Sequence, residues 1–218
     1  MRSSRASNLT VALLLLTAAA AGAAERQPAV VAEIVTGDTV RLKGGKLFRY
    51  AGIKAPPAQS KIPLVREYGE AAIEANRRLV EGRQILIQWD RQIRDENNNL
   101  VGYAYLEDGT FVNDTLLKEG HARAIYKAPN TTYSSLFRHS ELSARRQRKG
   151  LWREEPENPY LQHEYIGEIN TKIYYFPTSP ELERIPAAHL RPFKSRVEAK
   201  AAGYRPCFTC KEGEIDEG

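Results

Sequence analysis

Three short runs rich in Val, Ile and Thr, punctuated by glycine, open the body of this chain and limit its fold more than any other feature. Ala29 to Thr36 and Thr39 to Lys43 flank Gly37-Asp38, Gly44-Gly45 supplies a second turn, and Leu47 to Ile53 completes the set. β-Branched residues bounded by turn formers predict a three-stranded meander. Pro56, Pro57 and Pro63 then mark a loop. Beyond it the period changes. From Tyr68 to Val80, Ala72, Ile73, Asn76, Leu79 and Val80 recur at helical spacing, and Gly82 ends the helix. Gln84 to Asp90 and Leu100 to Leu106 read as two more strands around a polar loop with Asn97-Asn98-Asn99. A short helix around Leu116 and Leu117 stops at Gly120, and a longer one runs from Tyr133 to Lys149 with Leu136, Ser140 and Ala144 on one side. Five short strands, one helix after the third and two more at the end make a mainly β, α+β order. It is that of a five-stranded OB-type Greek-key barrel with three helices, a fold that often binds oligonucleotides on one face.

Both cysteines, Cys207 and Cys210, lie near the C-terminus, so the barrel must be held by its apolar core. At the other end, Arg2 and Arg5 precede an apolar stretch from Val11 to Leu16 and Ala18 to Ala21, closed by Ala21-Gly22-Ala23. That is the pattern of a secretory signal over residues 1–24, and it predicts an exported product, periplasmic or secreted. The apolar run is shorter than the roughly 20 residues that span a bilayer, and no later segment is apolar enough. Cleavage leaves 194 of the 218 residues and lowers the formal net charge of +5 by two. A balance so near neutral makes local clustering, not net charge, the ground for any nucleic-acid argument.

Thr36-Gly37-Asp38-Thr39-Val40, Phe48-Arg49-Tyr50-Ala51-Gly52-Ile53 and Tyr68-Gly69-Glu70-Ala71 form a distinctive series. It continues with Val112-Asn113, Leu117 to Ala122, Pro129-Asn130-Thr131 and Gly150-Leu151-Trp152. In order and spacing these resemble the staphylococcal-nuclease-like (thermonuclease) family over residues 29–153. The resemblance implies an OB barrel and calcium-dependent cleavage of phosphodiesters in DNA and RNA. Such chemistry needs acidic ligands for a hard cation, a carboxylate to activate water, and arginines to neutralise the phosphoryl group.

Carried over by position, the first acidic ligand falls on Asp38 and the first arginine on Arg49. The second acidic ligand falls on Lys54, followed by Ala55, and the general base falls on Pro57. The second arginine falls on Asn99, and the aromatic of the same loop on Asn97. Phe48-Arg49 and Pro56 hold the register, and no Asp or Glu occurs between Asp38 and Glu67. The expectation is a dismantled active site in which Lys54 pairs with Asp38 where calcium would sit. Alternatively Asp38, favoured after Gly37 for backbone reasons, and Arg49 are structural relics that pair with each other.

Arg138, Arg145, Arg146, Arg148 and Lys149 crowd the last helix of the barrel, and Arg77, Arg78 and Arg83 lie near the end of the first. A run of this kind is most simply a solvated face. Tyr126 matches a groove tyrosine of the family that stacks on a nucleotide, which with scattered arginines suits single-stranded nucleic acid.

Residues 154–164, with Pro156 and Pro159, read as a linker, and residues 211–218 as an acidic tail. Between them, Tyr165-Ile166-Gly167, Lys172 to Tyr175, Phe193-Lys194-Ser195 and Ala201 to Cys210 resemble the small zinc-binding domain named after the Ada repair protein, over residues 165–210. Two of its ligand positions fall on Tyr175 and Ser179, leaving Cys207 and Cys210. Two thiolates do not make a four-ligand zinc site, unless His163 or His189 is recruited. In an exported protein the pair is expected to form a disulfide.

The function that follows is an exported binding or scaffolding module without catalysis or a required cofactor, contacting single-stranded nucleic acid or a protein partner. The alternative is a calcium-dependent nuclease with a rearranged site.

Overall fold

The computed structural model describes residues 26–153, 159–207 and 210. The expected signal sequence, residues 154–158 of the expected linker and the expected acidic tail lie outside them. β1 (Gln27–Thr36), β2 (Thr39–Leu42) and β3 (Leu47–Tyr50) form the antiparallel meander. After β4 (Ile53–Lys54) and helix α1 (Pro63–Val80) come β5 (Gln84–Gln88) and β6 (Leu100–Tyr105). The strands close into a barrel in the order β1-β2-β3-β6-β5, with β5 returning to β1 and β3 parallel to β6. Helix α2 (Val112–Lys118), β7 (Arg123–Ala124) and helix α3 (Ser134–Arg146) complete the unit. This is the mixed α+β, OB-type barrel with three helices that the pattern predicts.

Alternation along the strands buries Val31, Val40, Phe48, Tyr50, Ile85, Ile87 and Tyr103 in one core. Polar residues inside it are satisfied in pairs. The Tyr50 hydroxyl donates to Asn76, whose amide donates to the Thr36 carbonyl, tying β3, α1 and β1 together. Asn113 accepts from the Ala104 N–H and donates to the Ala51 carbonyl, fastening α2 across β3 and β6.

Three boundaries differ from the pattern. α1 begins at Pro63, not Tyr68, because proline at the first helical position gives up an N–H that has no intrahelical partner anyway. The run Leu47 to Ile53 is not one strand. Gly52, at φ +73°, turns the chain out of β3 into β4, and a Cβ there would lie 2.7 Å from the Phe137 ring. α3 is shorter than Tyr133 to Lys149 and buries Phe137 and Leu142, while Leu136 is exposed.

The C-terminal part carries β8 (Tyr165–Glu168), β9 (Ile173–Tyr175), β10 (Leu190–Phe193), helix α4 (Arg196–Ala201) and β11 (Arg205–Pro206). They form a four-stranded sheet in the order β10-β8-β9-β11 over an aromatic core of Tyr165, Tyr174, Phe176, Phe193 and Tyr204. Cys207 and Cys210 are disulfide-bonded within that core. Residues 159–162, inside the expected linker, form a single 3-10 turn that packs on α3. Arg146 of α3 donates to the carbonyls of Leu161 and His163 and pairs with Glu164 at 3.0 Å, and His139 faces Glu164 at 3.2 Å.

Candidate functional site

The turn between β1 and β2 presents Asp38. Gly37 is required there, since a Cβ would come within 2.5 Å of Ala72 and 2.7 Å of Ala55. The turn therefore lies flat against α1 and the stretch after β4. Asp38 is 2% exposed, and its carboxylate is held by three hydrogen bonds and one ion pair. One carboxylate oxygen accepts from the hydroxyls of Thr36 at 2.7 Å and Thr39 at 3.1 Å. The other accepts from the Ala55 N–H at 3.0 Å and lies 3.5 Å from the Lys54 ammonium.

A hard divalent cation takes six to eight oxygen ligands if it is calcium, most of them anionic or carbonyl. Here the single carboxylate already accepts three hydrogen bonds, the Lys54 ammonium stands beside it, and the Pro57 side chain offers no ligand atom. Among the described residues, no three His, Cys, Asp or Glu side chains converge as a metal site. The residues present do not fit calcium at this position. Nor does the Cys207–Cys210 disulfide fit zinc, since neither sulfur is a thiolate. His189 faces Asn170, and the His163 carbonyl is taken by Arg146.

Arg49 does not pair with Asp38. Although Arg49 lies directly across from Thr39 in the ladder, its guanidinium is 3.7 Å from Asp95, a carboxylate only 4% exposed. Asp95 organises the whole loop before β6. It accepts from the N–H groups of Asn97 and Asn99 and from the Asn99 side-chain amide. Burial alone would raise the Asp95 carboxyl, but the Asn99 and Asn97 hydrogen bonds and the Arg49 charge together hold it below the usual carboxylate range. Asn99, standing where the resemblance puts an arginine, is thus committed to Asp95. Asp95 was not among the residues picked out by position. The signal for it was local: Asp95 stands two residues before Asn97-Asn98-Asn99, and Asp and Asn clustered in this way favour Asx-turns.

Arg49, Asp95, Arg94, Gln92, Lys127 and Asn130 line a cleft of about 40 Å³. Asn130 holds its two walls together by accepting from the Gln92 N–H and donating to the Gln92 carbonyl. Each cation has an internal partner: Arg94 donates to Asn98, and Lys127 pairs with Glu96 at 2.8 Å. Tyr126 is half-buried between the lining residues Ile125 and Lys127.

The arginine run of α3 is not the free solvated face that the sequence suggests. Arg145 lies 3.7 Å over the Trp152 ring and pairs with buried Glu141, while Arg146 clasps the C-terminal part. Lys149 pairs with Glu119.

Residues 47–154 match the family of staphylococcal nuclease homologues. This span is a staphylococcal nuclease-like domain. The match opens at β3, so the turn that carries Asp38 precedes it. Over 123 residues, 54% of this chain, the sequence is 35% identical to endonuclease YncB of Bacillus subtilis (strain 168) and covers 58% of that protein. It is likewise 35% identical over 123 residues to the SPbeta prophage-derived endonuclease YokF of the same organism, covering 41% of it. The thermonuclease of Staphylococcus hyicus is 28% identical over 132 residues, which are 78% of its length. The chain therefore spans about half the length of the first two relatives, and the nuclease-like domain is what it has in common with all three.

Proposed function

We propose that this protein is exported and acts as a binding or scaffolding module on a nuclease-like barrel that does not cleave phosphodiesters. The observation that carries this reading is the commitment of Asp38 to three internal hydrogen bonds, with the Lys54 ammonium 3.5 Å away. A divalent cation about 4 Å from that ammonium would meet a repulsion on the order of 8 kcal/mol at an effective dielectric near 20, less whatever the side chain recovers by swinging outward. A missing general base at Pro57 removes a further factor of roughly 10²–10⁴ in rate. Contact with single-stranded nucleic acid belongs to the cleft of Arg49 and Lys127 beside Tyr126. It is weak, because an incoming phosphate must compete with Asp95 and Glu96. The leader sequence supports export, and no helix among the described residues is long and apolar enough to cross a membrane.

The wild-type protein is expected to leave single-stranded DNA and RNA intact in millimolar calcium, and its thermal midpoint is expected not to rise when calcium is added, as a ligand that does not bind does not stabilise. EDTA-sensitive cleavage abolished by Arg49→Ala would overturn the proposal. One observation favours a second reading, a divalent-metal nuclease with a rearranged site: a buried carboxylate, Asp95, does stand beside Arg49. The relatives' description as endonucleases points the same way. On that reading cleavage occurs and Asp95→Asn removes it.

A further inference from the structure

A second cleft, of about 340 Å³, shares no lining residue with the one around Arg49. Its walls are Pro56, Pro57, Leu64 and Tyr68, and its two cations are Lys54 and Arg123. The apolar surface continues out of the mouth: Ile62, just before α1, is 61% exposed and Leu64 is 38% exposed. Bulky aliphatic side chains left open around an apolar cleft mark a surface for a partner more readily than a surface for water.

The charge on the cleft is unusual. β4 and β7 pair over only two residues, and in that ladder Lys54 stands directly opposite Arg123. Like charges directly opposite each other across strands are destabilising. Asp38 relieves Lys54, whereas Arg123 lies 5.2 Å over the Trp152 ring and makes no ion pair among the described residues. No carboxylate lines the cleft, and the neighbouring Glu67 is taken by Arg153 at 3.2 Å. An anion brought to the rim would relieve a repulsion that the protein alone sustains.

We propose that this cleft docks an acidic segment of a partner protein, which inserts one bulky aliphatic side chain against Pro57, Leu64 and Tyr68 and sets carboxylates against Arg123 and Lys54. The apolar surface beyond the mouth is what favours a peptide over a small anion, because a small ligand would leave Ile62 uncovered. The proposal does not depend on whether the Arg49 cleft binds nucleic acid.

The test uses the mature protein and a fluorescein-labelled acidic heptapeptide with one central isoleucine, followed by fluorescence polarisation. Saturable binding is expected, weakened at least about tenfold by Leu64→Glu and by Arg123→Gln, and equally by serine in place of the isoleucine of the peptide. Arg49→Ala is expected to leave it unchanged. Both cleft substitutions are at accessible positions, and Arg123→Gln removes the cross-strand repulsion together with the contact on the Trp152 ring, so its thermal midpoint should stay near that of the wild type while its affinity falls. Absence of saturable binding, equal binding of the serine peptide, or indifference to both cleft variants would overturn the proposal. Displacement of the peptide by single-stranded DNA would also overturn it, by assigning the cleft to nucleic acid.

Discussion

Asp95 shows how one buried carboxylate can set a local structure and its pH dependence together. Its hydrogen bonds from Asn97 and Asn99 close the loop before β6, and Arg49 supplies the charge. These partners hold its pKa below the unfolded value, which for aspartate is about 3.9. A depressed carboxylate contributes stability that is fully present above the unfolded pKa and is lost as pH falls through the folded one. Wild-type stability should therefore fall on the acid side of about pH 4, and Asp95→Asn should flatten that limb in urea titrations at stepped pH. Asp95→Ala should cost about 1.5–3 kcal/mol at pH 7, since it strips a charged acceptor from three donors and leaves Arg49 half-buried beside it. An unchanged urea midpoint for Asp95→Ala would show that the loop is held by something else.

At the scale of the element, the turn at Gly37 and the break at Gly52 decide where the charged residues stand. Gly37→Ala should lower stability by about 1–3 kcal/mol, because its methyl must displace Ala72 on α1 or Ala55 after β4. Equilibrium urea denaturation measures this, and a loss below half a kcal/mol would mean that the turn shifts freely. The barrel was legible in the sequence because strand alternation, glycine turns and helical spacing all express burial on one face, and burial is what composition records. Pro63 misled for a physical reason. Proline breaks a helix from within but starts one at its first position, and local sequence does not say which. The partner of Arg49 was illegible for a different reason. Asp38 and Asp95 are both near it in the folded barrel, and the choice between them follows from the parallel pairing of β3 with β6, a contact between segments some fifty residues apart. Lys54 beside Asp38 was readable because the resemblance puts both positions around one cation.

At the scale of the whole molecule, the C-terminal part leans on the barrel through Arg146 and His139 of α3. Arg146→Ala removes two carbonyl contacts and one ion pair at once. Backbone hydrogen exchange is expected to speed up in β8 and β10, whose neighbour Glu164 is held by Arg146, with little change in the barrel strands. Equal acceleration throughout would mean that the two parts unfold as one unit. The pairing of Lys54 with Asp38 also alters how the molecule relates to its medium. A soluble counter-ion occupies a carboxylate site in proportion to its concentration and departs when it is diluted. An ammonium on a tether of four methylenes is present once per carboxylate in every copy, at an effective concentration set by that tether and not by the surroundings. The charge balance at Asp38 is thereby inherited with the chain, and neither chelation nor dilution withdraws it.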